Sequence, residues 1–266
     1  MIEQYEATVI AFLGSAAIEA AKAHALAEFP KESCGFLADG KYTACTNVNS
    51  NPLEEFTIND PRYDAAVIGK TLTAIVHSHP NGSLIPSNTD MAQQIATKCP
   101  WIIITLNEKG IHKTIAWGGN LPVAPLIARP FVHGVFDCYS IVRDVFRLGR
   151  DELTRQGIVW PLQPIELPEV ARANNWWSGE GDLYADHLAK VGFKEISMGE
   201  ARPGDGFLCA IGDTRVNPNK RLNHAAVLLG HDQILHHLPT RLSARTPAGI
   251  WAHSADMWVR YEGPTS

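Results

Sequence analysis

A stretch near the middle of the chain, residues 118–125, holds two glycines and two prolines and shows no hydrophobic periodicity. Such a composition interrupts helices and strands alike and is typical of a linker. It divides the 266 residues into two segments, each long enough for a small domain. We therefore expect two domains, at 1–117 and 131–266, joined by a Pro/Gly linker at 118–130.

Both segments mix the periodicities of helices and strands, which predicts an α+β fold in each. In the first segment we expect helices at 15–29, 60–70 and 87–98. The strands expected there are 34–38, 42–48, 71–79, 101–106 and 111–117. In the second segment we expect helices at 138–149 and 183–191, and strands at 207–211, 225–229 and 234–238.

The composition is that of an ordinary globular protein, with 45% hydrophobic and 19% charged residues and a formal charge of −5. This charge predicts no nucleic-acid partner. No apolar run reaches the roughly 20 residues of a membrane span, and the N-terminus lacks a secretory signal, so we expect synthesis in the cytoplasm. Five widely spaced cysteines without a CxxC pair argue against disulfides and against zinc bound by cysteines.

A cluster of potential metal ligands follows the predicted strand 71–79. His77 and His79 occupy alternate positions of that strand, so their imidazoles point to the same face. Asp90 comes eleven residues later, in the first turn of a helix that Ser87 is expected to cap. Two histidines and one carboxylate, with a fourth position left for water, form a catalytic zinc site. Glu32, just before a core strand, is the candidate base for the metal-bound water.

Each of these motifs alone has a simpler explanation. His-x-His is more often a pair of polar residues on a solvated strand, Ser87-x-x-Asp90 is a common capping box, and an isolated Glu32 is a surface residue. Taken together, Glu32 before Cys-Gly-Phe-Leu, then His77-Ser-His-Pro and Ser87-x-x-Asp90, resemble the JAMM (MPN+) metallopeptidases.

The JAMM resemblance covers roughly residues 1–117 and implies a mixed β-sheet with flanking helices. It also implies zinc at His77, His79 and Asp90, with Glu32 as general acid/base. Ser87 would cap its helix and also hydrogen-bond the metal-bound water or the oxyanion. Metallopeptidases of this family cleave amide and isopeptide bonds.

The second segment contains a candidate cysteine nucleophile. Cys138 opens a predicted helix, where the dipole and the free backbone N–H groups favour a thiolate, although a free cysteine is more often buried and inert. His224 begins one strand, and the next strand ends in His236 and His237. In an antiparallel hairpin a three-residue loop places His236 on the face of His224, and a two-residue loop places His237 there. One histidine would be the base and the other would orient it.

Three motifs of this segment resemble the NlpC-type endopeptidases of the cell wall, which have a papain-like fold. They are Phe-Asp-Cys138-Tyr-Ser, Arg202-Pro-Gly-Asp-Gly and His224-Ala-Ala-Val-Leu-Leu-Gly. The resemblance covers about residues 128–266 and implies Cys138 as nucleophile, His224 as base and His236 as the third polar residue.

The segment departs from the NlpC-type pattern at two positions. Most members have a tyrosine shortly before the cysteine, thought to serve the oxyanion site, whereas this chain has Phe131. That role would be lost, or would pass to His133 and the backbone N–H of Cys138. The usual small residue after Asp-Cys is also replaced, by Tyr139.

A JAMM-type half followed by an NlpC-type half resembles the tail assembly protein K family of lambda-like phages. The resemblance implies a protein of the phage tail tip with two separate peptidase sites. Its partners would be peptidoglycan peptides and other tail-tip proteins, and it would act at the host cell wall. Two alternatives stay open: a structural assembly factor in which one or both sites are vestigial, and a cellular isopeptidase that acts on a ubiquitin-like modifier.

Overall fold

The computed structural model describes residues 2–179, 182–213 and 215–263. The chain forms two compact units that divide between Pro122 and Val123. The segment predicted as a linker is shared between them: Leu121 packs into the core of the first unit and Leu126 into the core of the second. The domain limits at 117 and 131 stay predictions.

The first unit has one mixed sheet. Its helices within the described residues are α1 (Ile2–Leu13), α2 (Ser15–Glu28), α3 (Pro61–Ile68) and α4 (Asn88–Thr97). Its strands are β1 (Cys34–Ala38), β2 (Lys41–Cys45), β3 (Leu72–His79), β4 (Trp101–Asn107) and β5 (Gly110–Trp117). The strand order is β2-β1-β3-β4-β5, in which β3 and β4 are parallel and the other neighbours antiparallel.

The two faces of this sheet have different roles. On one face the core includes Ala74 and Val76 of β3 and the small apolar side of α2, from Ala17 to Ala25. Because successive strand residues alternate between faces, His77 and His79 project to the opposite one. The parallel connection from β3 to β4 runs through α4, so the first turn of α4 follows closely on the end of β3.

The second unit is built on an antiparallel sheet. Its helices within the described residues are α5 (Cys138–Arg155), α6 (Leu183–His187) and α7 (Gly249–His253). Its strands are β6 (Phe193–Ile196), β7 (Gly206–Cys209), β8 (His224–Leu229), β9 (Gln233–His236), β10 (Ala244–Pro247) and β11 (Met257–Tyr261). Their order is β10-β9-β8-β7-β11-β6.

Helix α5 lies against this sheet through a buried apolar stripe. Ile141, Val145 and Phe146 share one core with residues of β8 and β9. The helix breaks at Gly149, which has φ 67°, and a Cβ there would lie 2.4 Å from the backbone nitrogen of Pro164. Only glycine combines this backbone with so close an approach. The sequence predicted the helix end at this residue, whereas a further helical segment follows it.

The mixed α and β organisation predicted for both halves is confirmed. The predictions omitted α1 and α7 and the strands β6, β10 and β11, and extended α6 by four residues. Within the described residues no single helix is long and apolar enough to cross a membrane; α1 and α2 reach that length and apolarity only as a pair, bent by 94°.

Candidate active sites

The predicted metal ligands lie together in the first unit. His77 Nε2 and His79 Nε2 are 3.1 Å apart, and Asp90 places Oδ1 3.6 Å from His77 Nε2 and Oδ2 3.8 Å from His79 Nε2. One atom of each residue lies within 4.8 Å of the other two, and all three residues are buried. The site arises because β3 holds the imidazoles on one face and α4 brings its first turn to that face.

Hydrogen bonds hold these side chains in position. His79 Nδ1 lies 2.8 Å from the carbonyl oxygen of Ser83, so Nδ1 carries the proton and Nε2 keeps its lone pair for the centre. Ser87 caps α4 as predicted: its Oγ accepts the backbone N–H of Asp90, and Asp90 Oδ2 accepts the backbone N–H of Ser87 at 2.7 Å. The Asp90 carboxylate can therefore complete the capping box of α4 and still face the two histidines.

The donor set fits a zinc ion. Zinc binds imidazole nitrogens at about 2.0–2.1 Å, and tetrahedral geometry then separates two such nitrogens by roughly 3.3 Å. The observed 3.1 Å between the two Nε2 atoms is close to that separation, and the Asp90 oxygens are only a few tenths of an ångström farther. Phe56 stacks on the His77 ring, with centroids 4.7 Å apart, and closes one side of the site.

Glu32 lies at the edge of the same cluster. Strand β1 pairs with β3 so that Cys34 is opposite His77, which brings the residue two positions earlier to the end of β3. Glu32 Oε1 is 4.0 Å from His79 Nε2, and the carboxyl group is buried. Burial raises the pKa of Glu32 to about 7, against the opposing effect of His79 and with a contribution from Asp90. A carboxyl group with such a pKa can both take and return a proton near neutral pH.

The remaining groups of this centre are strongly perturbed by burial and by one another. Burial lowers the pKa of His77. Burial also opposes protonation of His79, but its hydrogen bond to Asp90 and the charge of Glu32 raise its pKa overall. The pKa of Asp90 lies well below its usual range, because the two histidines outweigh its desolvation. Perturbed groups clustered in this way are typical of functional sites.

The predicted nucleophile of the second unit is the first residue of α5. Cys138 lines a cleft together with His224. Its Sγ lies 3.8 Å from the carbonyl oxygen of Asn223 and 3.6 Å from the hydroxyl of Tyr184. The contact with Asn223 places the sulfur beside the peptide group that leads into His224.

The structure places His236, and not His237, beside His224. The loop between β8 and β9 has three residues, and Ala226 pairs with His236, so His224 and His236 share one face. His224 Nε2 is 3.3 Å from His236 Nδ1, and His236 Nε2 is 3.3 Å from Thr246 Oγ1. His224 Nδ1 is buried and has no hydrogen-bond partner among the described residues. His237 instead contacts the carbonyl oxygen of Arg241 and the ring of Phe131.

This chain of contacts determines which nitrogen of His224 is basic. If His224 Nε2–H donates to His236 Nδ1, then His224 Nδ1 carries the lone pair. Burial lowers the pKa of His224 to about 3, with smaller contributions from His236 and His237. Burial and the adjacent Asp137 raise the pKa of Cys138, which opposes the thiolate stabilisation expected at the helix N-terminus, while a hydrogen bond with Tyr184 acts in the other direction.

A buried ion pair supports the start of α5. Asp137 caps the helix, and its Oδ2 accepts hydrogen bonds from Arg172 Nε and Nη2, at 3.1 and 2.5 Å. Asp137 keeps a pKa well below its usual range because Arg172 and His133 outweigh its desolvation. His133 Nε2 lies 3.1 Å from the carbonyl oxygen of Arg172, and the residue lines the same cleft as Cys138, so its role in place of the missing tyrosine stays a prediction.

Sequence reasoning missed Arg172 and Tyr184, which lie 35 and 46 residues from their partners beside the nucleophile. Neither residue belongs to a recognisable short motif. A conservation signal was the one kind of observation that could have singled them out.

Comparison with known proteins gives the same two halves in the same order. The family described as prokaryotic homologs of the JAB domain matches residues 15–117, and the NlpC/P60 family matches residues 113–260. Tail tip assembly protein K of Escherichia phage N15 is 36% identical over 252 residues, which cover 92% of this chain and 94% of that protein. Tail tip assembly protein K of Escherichia phage lambda is 33% identical over 174 residues, covering 65% of this chain and 73% of that protein.

These matches confirm the expected fold of each half, a JAB-like sheet domain and an NlpC/P60 domain. The chain therefore belongs to the family of tail tip assembly protein K.

Proposed function

We propose that the second unit is a cysteine peptidase that hydrolyses amide bonds in the stem peptides of peptidoglycan. The observation that carries this proposal is the position of His224: one ring nitrogen contacts His236, and the other is buried without a partner in the cleft that holds Cys138. An imidazole with an unpaired nitrogen in the same cleft as a thiol is the arrangement of a nucleophile and its general base.

The reaction starts from a thiol and an imidazole with a free ring nitrogen. His224 Nδ1 takes the thiol proton as Cys138 Sγ attacks the carbonyl carbon, and the new S–C bond leaves a tetrahedral oxyanion. As the first residue of α5, Cys138 has a backbone N–H without an acceptor in the helix, and this group can face the oxyanion. The C–N bond then breaks and the proton on His224 passes to the leaving amine. Water hydrolyses the thioester, again with His224 as base, and restores the thiol.

We further propose that the first unit is a zinc-dependent amide or isopeptide hydrolase. His77, His79 and Asp90 would hold the metal. A zinc ion there supplies Lewis acidity and a bound water of lowered pKa. Glu32 is the residue placed to accept a proton and return it to the leaving amine. Ser87 keeps Asp90 aimed at the centre through the capping box, and its own O–H would donate to the metal-bound water or the oxyanion.

The biological setting proposed is the phage tail tip. The names of the relatives give tail tip assembly as their role, and the near full-length match to the phage N15 protein favours this setting over a cellular isopeptidase. The protein would be made in the host cytoplasm, associate with other tail-tip proteins and act on the cell wall of the host.

The peptidase proposal is tested with purified peptidoglycan fragments and mass spectrometry. The wild-type protein is expected to break one type of stem-peptide amide bond, Cys138→Ala to break none, and Glu32→Gln to match the wild type because it alters only the other unit. Fragments left intact by all three proteins would contradict the proposal and favour a structural role in assembly.

A further inference from the structure

The hydroxyl group of Tyr184 contacts the candidate nucleophile. Tyr184 lies on α6, and its Oη is 3.6 Å from Cys138 Sγ. The side chain is buried, and its ring packs edge-on against Trp176, with centroids 5.8 Å apart. Burial and the packing of the ring against Trp176 hold the hydroxyl group towards the sulfur.

The other contact of the sulfur is compatible with Tyr184 as the donor of this hydrogen bond. The thiol has one proton, and the carbonyl oxygen of Asn223, 3.8 Å away, can only accept it. The sulfur is then free to accept from Tyr184. Burial and the neighbouring Cys138 raise the pKa of Tyr184 well above its ordinary value, so the hydroxyl group keeps its proton.

We propose that the Tyr184 hydroxyl is a catalytic group that donates a hydrogen bond to Cys138 Sγ and stabilises the thiolate as it forms. The inference rests on the proposed peptidase function of this unit. It also explains how the site could work although burial and Asp137 disfavour a resting thiolate, and although Phe131 offers no hydroxyl.

The proton balance of the step is simple. The thiol proton moves from Sγ to His224 Nδ1, and negative charge develops on the sulfur. Tyr184 keeps its own proton and strengthens its bond to the sulfur, since hydrogen bonds to charged groups are about twice as strong as those between neutral groups. When Sγ bonds to the carbonyl carbon the charge moves to the oxyanion, and His224 later gives the proton to the leaving amine.

The test is the pH dependence of Cys138 alkylation by iodoacetamide, followed on the Cys138 peptide by mass spectrometry. The other four cysteines are buried. In Tyr184→Phe we expect the thiol pKa to rise by about one unit and alkylation below that pKa to slow about tenfold. Asp137 and Arg172 are the charged groups that face the thiol, and the variant keeps both.

A matched control is Tyr139→Phe. The Tyr139 hydroxyl donates to the carbonyl oxygen of Pro168 at 2.8 Å and not to the sulfur, so this variant should keep the wild-type alkylation profile. On stem peptides Tyr184→Phe should lower kcat about tenfold and leave KM unchanged.

An alkylation profile of Tyr184→Phe that coincides with the wild-type profile would overturn the inference, as would an equal shift in Tyr139→Phe. Because alkylation needs no peptide substrate, the two proposals can fail separately. A shifted profile in a protein that cleaves no stem peptide supports the hydrogen bond and contradicts the peptidase function.

Discussion

Acidification should destabilise the second unit through His224. This side chain is fully buried, and burial lowers its pKa to about 3 from the ordinary 6.5. The unfolded chain therefore binds a proton at His224 below pH 6.5 while the folded protein does not. When the unfolded state binds more protons, the free energy of unfolding falls as the pH falls. The contribution of this residue is complete above pH 6.5 and is lost progressively between pH 6.5 and 3.

The expected loss between pH 7.5 and pH 5 is about 2 kcal/mol, from 1.36 kcal/mol per pH unit over the 1.5 units below 6.5. Because pH 5 lies well above the pKa of His224 in the folded protein, the expected loss depends mainly on the pKa of His224 in the unfolded chain. Other groups titrate over the same interval, so the informative quantity is the difference in stability between the wild type and His224→Asn, which cannot titrate there.

The assay is urea unfolding at both pH values. Unfolding is monitored by pulsed hydrogen exchange and mass spectrometry of peptides from β8, which report the second unit alone. The wild type should lose about 2 kcal/mol more than His224→Asn on going to pH 5. If the two proteins lost the same amount, His224 would titrate alike in the folded and unfolded chain, and its assignment as a buried neutral base would be wrong.

Three further predictions concern the supporting groups. Glu32→Gln should lower the initial rate of hydrolysis at the zinc site about 10²–10⁴-fold. Metal analysis should show an unchanged zinc content, because Glu32 is not among the three ligands. An unaltered rate would show that Glu32 is not the base. Arg172→Met should lower the free energy of unfolding in urea by about 3–5 kcal/mol, because it leaves Asp137 buried and unpaired. Arg143→Met breaks a more exposed pair with Glu169 and should lower it by about 1 kcal/mol or less. Equal losses in the two variants would contradict this prediction. Ser87→Ala should lower the free energy of unfolding of the first unit by about 1 kcal/mol through loss of the helix cap, and Ser87→Thr by much less. Similar losses for the two variants in thermal unfolding would show that the cap does not contribute to stability.

The sequence predicted those parts of the sites that depend on local geometry. Alternation along a strand places His77 and His79 together, and a serine three residues before an aspartate predicts the cap that positions Asp90. In the second unit the hairpin alone left His236 and His237 open, because a change of one residue in loop length reverses the face of every side chain. The observed loop of three residues places His236 beside His224.

Long-range packing explains what the sequence did not predict. Arg172 contacts Asp137, and Tyr184 contacts Cys138, only because the chain between them folds back over the cleft. The burial that raises the pKa of the Cys138 thiol also depends on this packing and was not visible in the sequence, whereas the helix N-terminus was. The short strands β6 and β10 lack the apolar runs that indicated the central strands, and in β11 the apolar run is only three residues long.

The central claim for the first unit, that one metal ion joins His77, His79 and Asp90, is tested most directly by the zinc content of the purified protein. The expected result is one zinc per chain in the wild type and in His112→Ala, which removes an exposed histidine from β5, and none in His77→Ala/His79→Ala. Zinc that persists in the double variant, or a wild type that binds none when zinc is supplied, would contradict the claim.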